Sequence, residues 1–462
     1  MLIRRKKVFV LGLDSIPPEL IFDKWLSELP NIRQLISKSL YGEMKSTIPA
    51  ITCPAWISMM TSVDPGGLGL YGFRNRTQYN YEGLSFVSSR SVTRPTVWDI
   101  LSNRGKRVLV IGVPVTYPPK PVNGYMVTGF LTPDTKCDYT YPNTLKTLVE
   151  GVTNGYIFDV DEFRSEKKEH ILKIIYEMTE KRFKLTRHFI LSTDWDFCMM
   201  VEMGPDRIHH AFWNYFDESH PRYIPHSNYK HAILNYYRYL DREIGETLAL
   251  LDEDTMVLVV SDHGMKKMVG GIGINEWLIQ HGYLKLMHYP SCPTSISKQI
   301  IDWKNTCVWG EGGYYGRIFM NVKGREPMGV IAQQNYESFR NELIGRLKDL
   351  RDQTGRVINT KAYKPEDIYS ECRGIPPDLL VYYGDLDWRS VGSVGNGNVW
   401  TSEKDLGPDG ANHSQYGIFI MKNGTNSRKE RRKGITLYDV APTILNYLSV
   451  GVPDYMKGMV IH

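Results

Sequence analysis

Nowhere do the 462 residues contain an apolar run near the ~18 needed to cross a bilayer, so no membrane span is expected. The six cysteines, at 53, 137, 198, 292, 307 and 372, include no CxxC pair. That spacing indicates neither a zinc knuckle nor a disulfide framework, and a cytoplasmic setting is the expectation. Charge of one sign is scarce too. The net charge is +5, the basic residues are scattered, and the densest run, RKERRK at 428–433, is interrupted by Glu430. It reads as a solvated loop rather than a face for a nucleic acid polymer. No GxGxxG follows a strand-like run and no GxxxxGK[ST] occurs, which argues against dinucleotide and P-loop chemistry. Internal repeats and low-complexity tracts are absent as well.

What is present is the composition of a soluble globular protein, 42% apolar and 23% charged. The length exceeds one ordinary core, so one large domain with an insertion, or two domains, is expected. The opening MLIRRKKVFVLGLD sets basic residues before an apolar run, as a signal peptide does. That run is short, ends in Asp14 and has no small-residue cleavage site, so it reads as a first β-strand. Apolar, β-branched runs at 8–13, 108–113 and 256–260 look like buried parallel strands, with a fourth at 195–201 that carries the polar Asp196. Helical spacing at 96–103 and 170–192 lies between them. Alternating strands and helices predict an α/β domain with a mainly parallel sheet.

The texture changes at 267–368, where glycines cluster, a strand-like run stands at 317–322 and an amphipathic helix follows at 336–351. This stretch is expected to be an inserted α+β cap on a core made of 1–266 and 369–462. The α/β texture returns at 377–383 and 416–420.

Ligands of such sheets sit at the carboxyl ends of the strands. The polar residues there are Asp14 after the first strand, Asp206, His209 and His210 after the fourth, Asp262 and His263 after the run at 256–260, and His413 late in the chain. Asp206 and His210, four apart, share one face of a helical turn. Aspartate and neutral histidine suit zinc or manganese. Together these residues can supply two sites of about three protein ligands each, as a two-metal phosphoryl-transfer centre requires. Ahead of the apolar run 54–60 stand Thr52 and Cys53, either of which could attack a substrate.

The order of these motifs resembles the alkaline phosphatase superfamily, and within it the type I phosphodiesterase/nucleotide pyrophosphatase family. The matching stretches are VFVLGLDS at 8–15, TIPAITCPAWISMMTSVDPG at 47–66, GPDRIHHAFW at 204–213, VVSDHGM at 259–265 and NHSQYGIF at 412–419. LYDVAPTILNYLSVGVPDYMKG at 437–458 resembles that family's closing segment. The resemblance implies an alkaline-phosphatase-like core and two divalent metals, zinc foremost and manganese as the alternative. One would be held by Asp206, His210 and His413, the other by Asp14, Asp262 and His263, with Thr52 as nucleophile and ligand on the second. Thr52 also falls near a helix N-terminus, where free N–H groups and the dipole favour an anion. Cys53 lacks the x-Pro-x-Arg that follows a sulfatase nucleophile, because Pro54 comes directly after it.

Two departures concern the substrate. In the segment Asp64-Pro-Gly-Gly-Leu68-Gly69-Leu70, leucine stands in place of the His that many relatives carry before a Gly after the nucleophile helix. The only local asparagine for a phosphate contact is Asn75, about two residues out of register, with Arg74 and Arg76 as substitutes. The glycine- and aromatic-rich segment 309–317 is either a loop stacking a base or sugar or a set of tight turns. The expected activity is hydrolysis of a small-molecule phosphodiester or phosphoanhydride of nucleotide or sugar-nucleotide type through a phospho-threonine. Alternatives on the same centre are a phosphomonoesterase, phosphonate hydrolase or phosphomutase, or a transferase or non-hydrolytic binder. The sequence leaves the oligomeric state open.

Overall fold

A computed structural model describes residues 5–296, 300–401, 408–424 and 428–462. The run at 8–13 forms β1 (Val8–Leu13), with all six residues buried. Along the chain follow β2 (Leu40–Lys45), α1 (Thr52–Thr61), β3 (Val108–Ile111), β4 (Gly124–Val127), β5 (Thr140–Tyr141), α2 (Lys168–Ser192), β6 (Phe197–Glu202), α3 (Gly204–Phe216), α4 (Ala232–Leu248) and β7 (Met256–Val260). Then come β8 (Gly264–Lys267), β9 (Val308–Glu311), β10 (Gly316–Met320), α5 (Tyr336–Lys348), β11 (Lys361–Tyr363), β12 (Leu379–Tyr382), β13 (Ala411–Ser414) and β14 (Tyr416–Asn423).

The large sheet runs from a short edge strand at Glu430–Arg431 through β2, β14, β7, β1, β6, β3 and β4 to β5. Its middle five strands, β7 to β4, are parallel. β14 runs antiparallel to both of its neighbours, and β5 to β4. The RKERRK run thus lies at the sheet's edge, where lysine and arginine discourage further pairing. Among the described residues no helix is long and apolar enough to cross a membrane.

Register decides where the site forms. β1 sits between β6 and β7, with Leu13 opposite Glu202 and Gly12 opposite Val260. The carboxyl ends of all three strands are therefore level. Asp14 leaves β1 one residue later, Asp262 leaves β7 two residues later, and Asp206 lies in the first turn of α3. β8 pairs with β13 so that Met265 faces His413, which brings a residue from late in the chain beside His263.

A second, antiparallel sheet has the order β9, β10, β12, β11. Leu343 and Leu347 of α5 share its apolar cluster with Ile318, Met320 and Leu379. The strand at 377–383 was expected to rejoin the large sheet, yet it pairs with β10 and β11. Its apolar part, 379–383, suits either sheet, and only the available edge selects one. Leu380 and Tyr382 pack in a cluster with Ala50, Ile51, Tyr71, Tyr314 and Tyr315. The Tyr382 hydroxyl accepts a hydrogen bond from the Ala50 N–H at 2.8 Å. The smaller sheet is thereby seated against the loop that leads into α1.

One glycine is required by close approach. A Cβ on Gly12 would stand 2.5 Å from the Trp56 ring and 2.8 Å from Val201. Trp56, on α1, is fully buried and donates its indole N–H to Asp14 at 2.8 Å. Gly12→Ala is expected to overpack this contact and destabilise the fold by about 1–3 kcal/mol. A lowered urea midpoint would show it; an unchanged midpoint would mean that the helix shifts at no cost.

Candidate metal centre

Two buried triads stand at the level strand ends. Asp206, His210 and His413 form one and Asp14, Asp262 and His263 the other, with the ligand-type atoms of each triad within 4.8 Å of one another. In the first, His210 Nε2 lies 3.3 Å and His413 Nε2 3.7 Å from Asp206 Oδ1. In the second, His263 Nε2 lies 3.1 Å from Asp262 Oδ2 and 4.0 Å from Asp14 Oδ1. The imidazoles of His263 and His413 stack with centroids 3.8 Å apart, joining the triads.

The residues fit divalent ions on three counts. Asp14 Oδ1, Asp206 Oδ1, Asp262 Oδ2, His210 Nε2 and His413 Nε2 are buried and make no hydrogen bond. Leaving such atoms unsatisfied costs about 1–3 kcal/mol each, and all five converge on the same two places. The other ring nitrogens are held from behind. His210 Nδ1 is 2.8 Å from Asp409, His413 Nδ1 is 3.0 Å from the Ala50 carbonyl and His263 Nδ1 is 3.0 Å from the Gly264 carbonyl. These contacts aim Nε2 into the site, as metal-binding histidines require. Charge is the third count. Burial, then Asp206, pushes the Asp14 carboxyl well above the usual range, and burial, then Asp14, does the same to Asp262. Burial opposes ionisation of Asp206 as well, but His210 and Arg207 overcome it and hold Asp206 well below that range. Burial brings His263 down to about 4 and, with His263 as neighbour, holds His413 well below an ordinary histidine. Neutral imidazoles beside carboxylates that ionise only with a cation nearby make a ligand set suited to divalent ions.

Thr52 opens α1, and no side chain caps that N-terminus because Ile51 holds the capping position. The Thr52 hydroxyl lies 3.4 Å from His263 Nε2, and Thr52 lines a cavity of about 640 Å³ over the centre. Cys53 is fully buried, in a cluster with Ile57, Val63 and Leu68. Burial, then Asp14 and Asp262, raises its thiol well above the usual value, so it stays protonated and poorly nucleophilic. His209, also at this strand end, turns away to Tyr237 at 2.9 Å and stays neutral through burial.

The arginine and asparagine candidates separate. Arg74 lines the cavity. Asn75 instead braces a turn, accepting from the Tyr71 N–H at 2.7 Å. Arg76 is buried in an ion pair with Glu326 at 2.9 Å and belongs to a neighbouring chamber. Arg164, Arg207, Arg317 and Arg389 line the main cavity as well, and none of these was picked out from the sequence.

Residues 8–412 match the family model described as type I phosphodiesterase / nucleotide pyrophosphatase. The chain belongs to that family. This places it in the alkaline phosphatase superfamily. Among solved structures, human ectonucleotide pyrophosphatase/phosphodiesterase 5 is similar with a TM-score of 0.58 at 12% identity, over 98% of this chain and 97% of its own. An inactive threonine-to-alanine variant of the murine protein, in complex with AMP, is similar with a TM-score of 0.56 at 11% identity, over 97% and 96%. At such identities the likeness is one of fold. No curated protein matches by sequence.

In this family member Asp409 is the support that sequence reading missed. It is buried, holds His210 Nδ1, and takes Arg164 at 2.8 Å and Arg389 at 2.9 Å on its other oxygen. Burial disfavours its charge, yet His210 and Arg164 hold it well below the usual carboxylate range. The only local signal was an aspartate four residues before His413. Asp409→Asn should weaken metal binding about 10- to 100-fold, read by titrating metal into chelator-stripped protein. Unaltered affinity would show that His210 needs no such brace.

Proposed function

We propose that the protein is a two-metal hydrolase of phosphodiesters or phosphoanhydrides with Thr52 as nucleophile. The observation that carries this reading is the placement of the Thr52 hydroxyl. It stands at an uncapped helix N-terminus, 3.4 Å from His263 and open to the cavity. Asp206, His210 and His413 would hold one divalent ion and Asp14, Asp262 and His263 the other, zinc being the first choice and manganese the second. Such ions supply Lewis acidity and offset charge on the reacting phosphoryl oxygens.

The chain's own residues do the rest. Thr52 Oγ1 forms a bond to phosphorus as the bond to the leaving oxygen breaks in line, and the leaving oxygen takes up a proton. Water then displaces threonine from the phospho-threonine, restoring Thr52 and releasing the phosphate product with overall retention. The free N–H groups at the start of α1 favour negative charge there, and Arg207, locked to Asp159, offers a fixed cation at the cavity wall. The AMP bound to the murine relative supports nucleotide or sugar-nucleotide substrates. In this reading residues 267–368 act as a cap over the site. The five cavity arginines favour a second reading, a phosphomonoesterase, since they could offset the extra charge of a monoester.

Comparing a nitrophenyl phosphodiester with its monoester on zinc-loaded protein separates the two, and a diester preference is expected. Thr52→Ala should cut turnover by at least about a thousandfold while metal stays near two per chain, because only one oxygen is lost. Cys53→Ala should keep most of the activity. A hundredfold loss in a folded Cys53 variant would shift the nucleophile to the thiol.

A further inference from the structure

Five arginines line the cavity over Thr52, and they fall into two kinds. Arg207 grips Asp159 through two nitrogens at 2.5 and 2.9 Å, and Arg164 and Arg389 both reach Asp409. Each of these three is already paired with a carboxylate of the scaffold around the centre. Arg317 and Arg74 differ. Among the described residues, no carboxylate stands within ion-pair distance, 4.0 Å, of either. Glu311 faces Arg317 across the β9–β10 ladder and lines the same cavity, but the two form no ion pair. The Arg317 guanidinium instead donates to the Arg74 carbonyl at 2.6 Å.

Arg317 is only 7% exposed. A guanidinium carries five N–H donors, and a single neutral acceptor compensates little of the cost of burying the charge. A cation in that state at a cavity wall is poised for an anion, and its planar fork suits the paired oxygens of a carboxylate or phosphate. Arg74, whose carbonyl takes that hydrogen bond, is exposed and lines the same cavity, so it adds a second cation beside the first.

We propose that Arg317, with Arg74 beside it, forms a second anion subsite that holds a carboxylate or phosphate on the arm of the substrate remote from the scissile phosphorus. This rests on the phosphodiesterase reading above and narrows its substrate class. The contacts of Arg317 support the remote position, because its guanidinium bonds the Arg74 carbonyl, on the segment that follows α1, and is not held by either triad. The Tyr314 ring stacks on His413 with centroids 3.8 Å apart, and Arg317 lies three residues further on. Tyr314 lies in the bend before β10 and Arg317 inside the strand, and three residues of chain span at most ~10 Å, enough to set the guanidinium beyond the reacting phosphorus. The subsite therefore fits an arm with a short spacer before its charge.

The test is binding of a matched, uncleavable series to zinc-loaded protein. Three methylphosphinates carry one three-carbon arm through a P–C bond, ending in methyl, carboxylate or phosphonate, so that no P–O ester is present to cleave, and affinities are measured by calorimetry. Wild type should bind at least one charged arm about tenfold or more tighter than the methyl arm, and the two charged arms show which anion is preferred. Arg317→Gln should bring that preference to within about threefold of unity. Arg74→Gln, at an exposed position where folding is not at risk, should lower it by at least about threefold and decides the matter if the Arg317 variant does not fold. No preference in wild type, or one that survives the substitutions, overturns the proposal. Failure of the hydrolase reading looks different: nitrophenyl diesters are not turned over while the arm preference persists.

Discussion

Three carboxylates share one dry pocket at the strand ends, and that is the constraint from which the rest of the structure follows. Asp14, Asp206 and Asp262 cannot all be anions there without cations among them. Arg207 and His210 hold Asp206 to its ionised form. At Asp14 and Asp262 burial outweighs every opposing contact and turns both towards the neutral acid. A pair of divalent ions would remove the conflict and satisfy the five buried atoms that make no hydrogen bond. The level ends of β6, β1 and β7 create this crowding, so the sheet register is itself the device that makes a metal centre.

The shell around the triads is shared between distant parts of the chain. Trp56 reaches Asp14 from α1 only because Gly12 leaves the strand bare beneath it. Asp409 braces His210 while gathering Arg164 and Arg389. Tyr314 stacks on His413, and its hydroxyl takes a hydrogen bond from Arg164. A change in the smaller sheet is therefore felt at the metal ligands through packed rings and fixed ion pairs, with no need for a moving part.

The neighbours Thr52 and Cys53 show how burial separates similar residues. Both lie in the first turn of one helix, where free N–H groups favour an anion. The threonine faces the cavity and His263. The cysteine points into an apolar cluster, where its thiol is held protonated by the same burial that protects the helix. Side-chain direction, which changes by about 100° per helical residue, decides which one meets the substrate.

Much of the architecture was legible in the sequence because its signals are local. Apolar runs announced β1, β7 and the parallel sheet, and a polar residue just past each run marked the carboxyl ends where Asp14, Asp206 and Asp262 stand. The four-residue spacing of Asp206 and His210 placed both on one face of α3. The rest depended on contacts between segments far apart. The run at 377–383 is apolar after Asp378 and so could not name its sheet; pairing with β10 assigned it to the smaller one. Asn75 and Arg76 looked like phosphate contacts from their place after the nucleophile helix, but a turn and a buried ion pair with Glu326 claim them. Arg164 and Arg389 carry no local mark at all, while Asp409 has only its place four residues before His413 and Arg317 only its place at the end of a glycine- and aromatic-rich segment. Periodicity records which side of an element is buried, whereas a charged residue's role is set by what folds against it, and only the tertiary structure decides that.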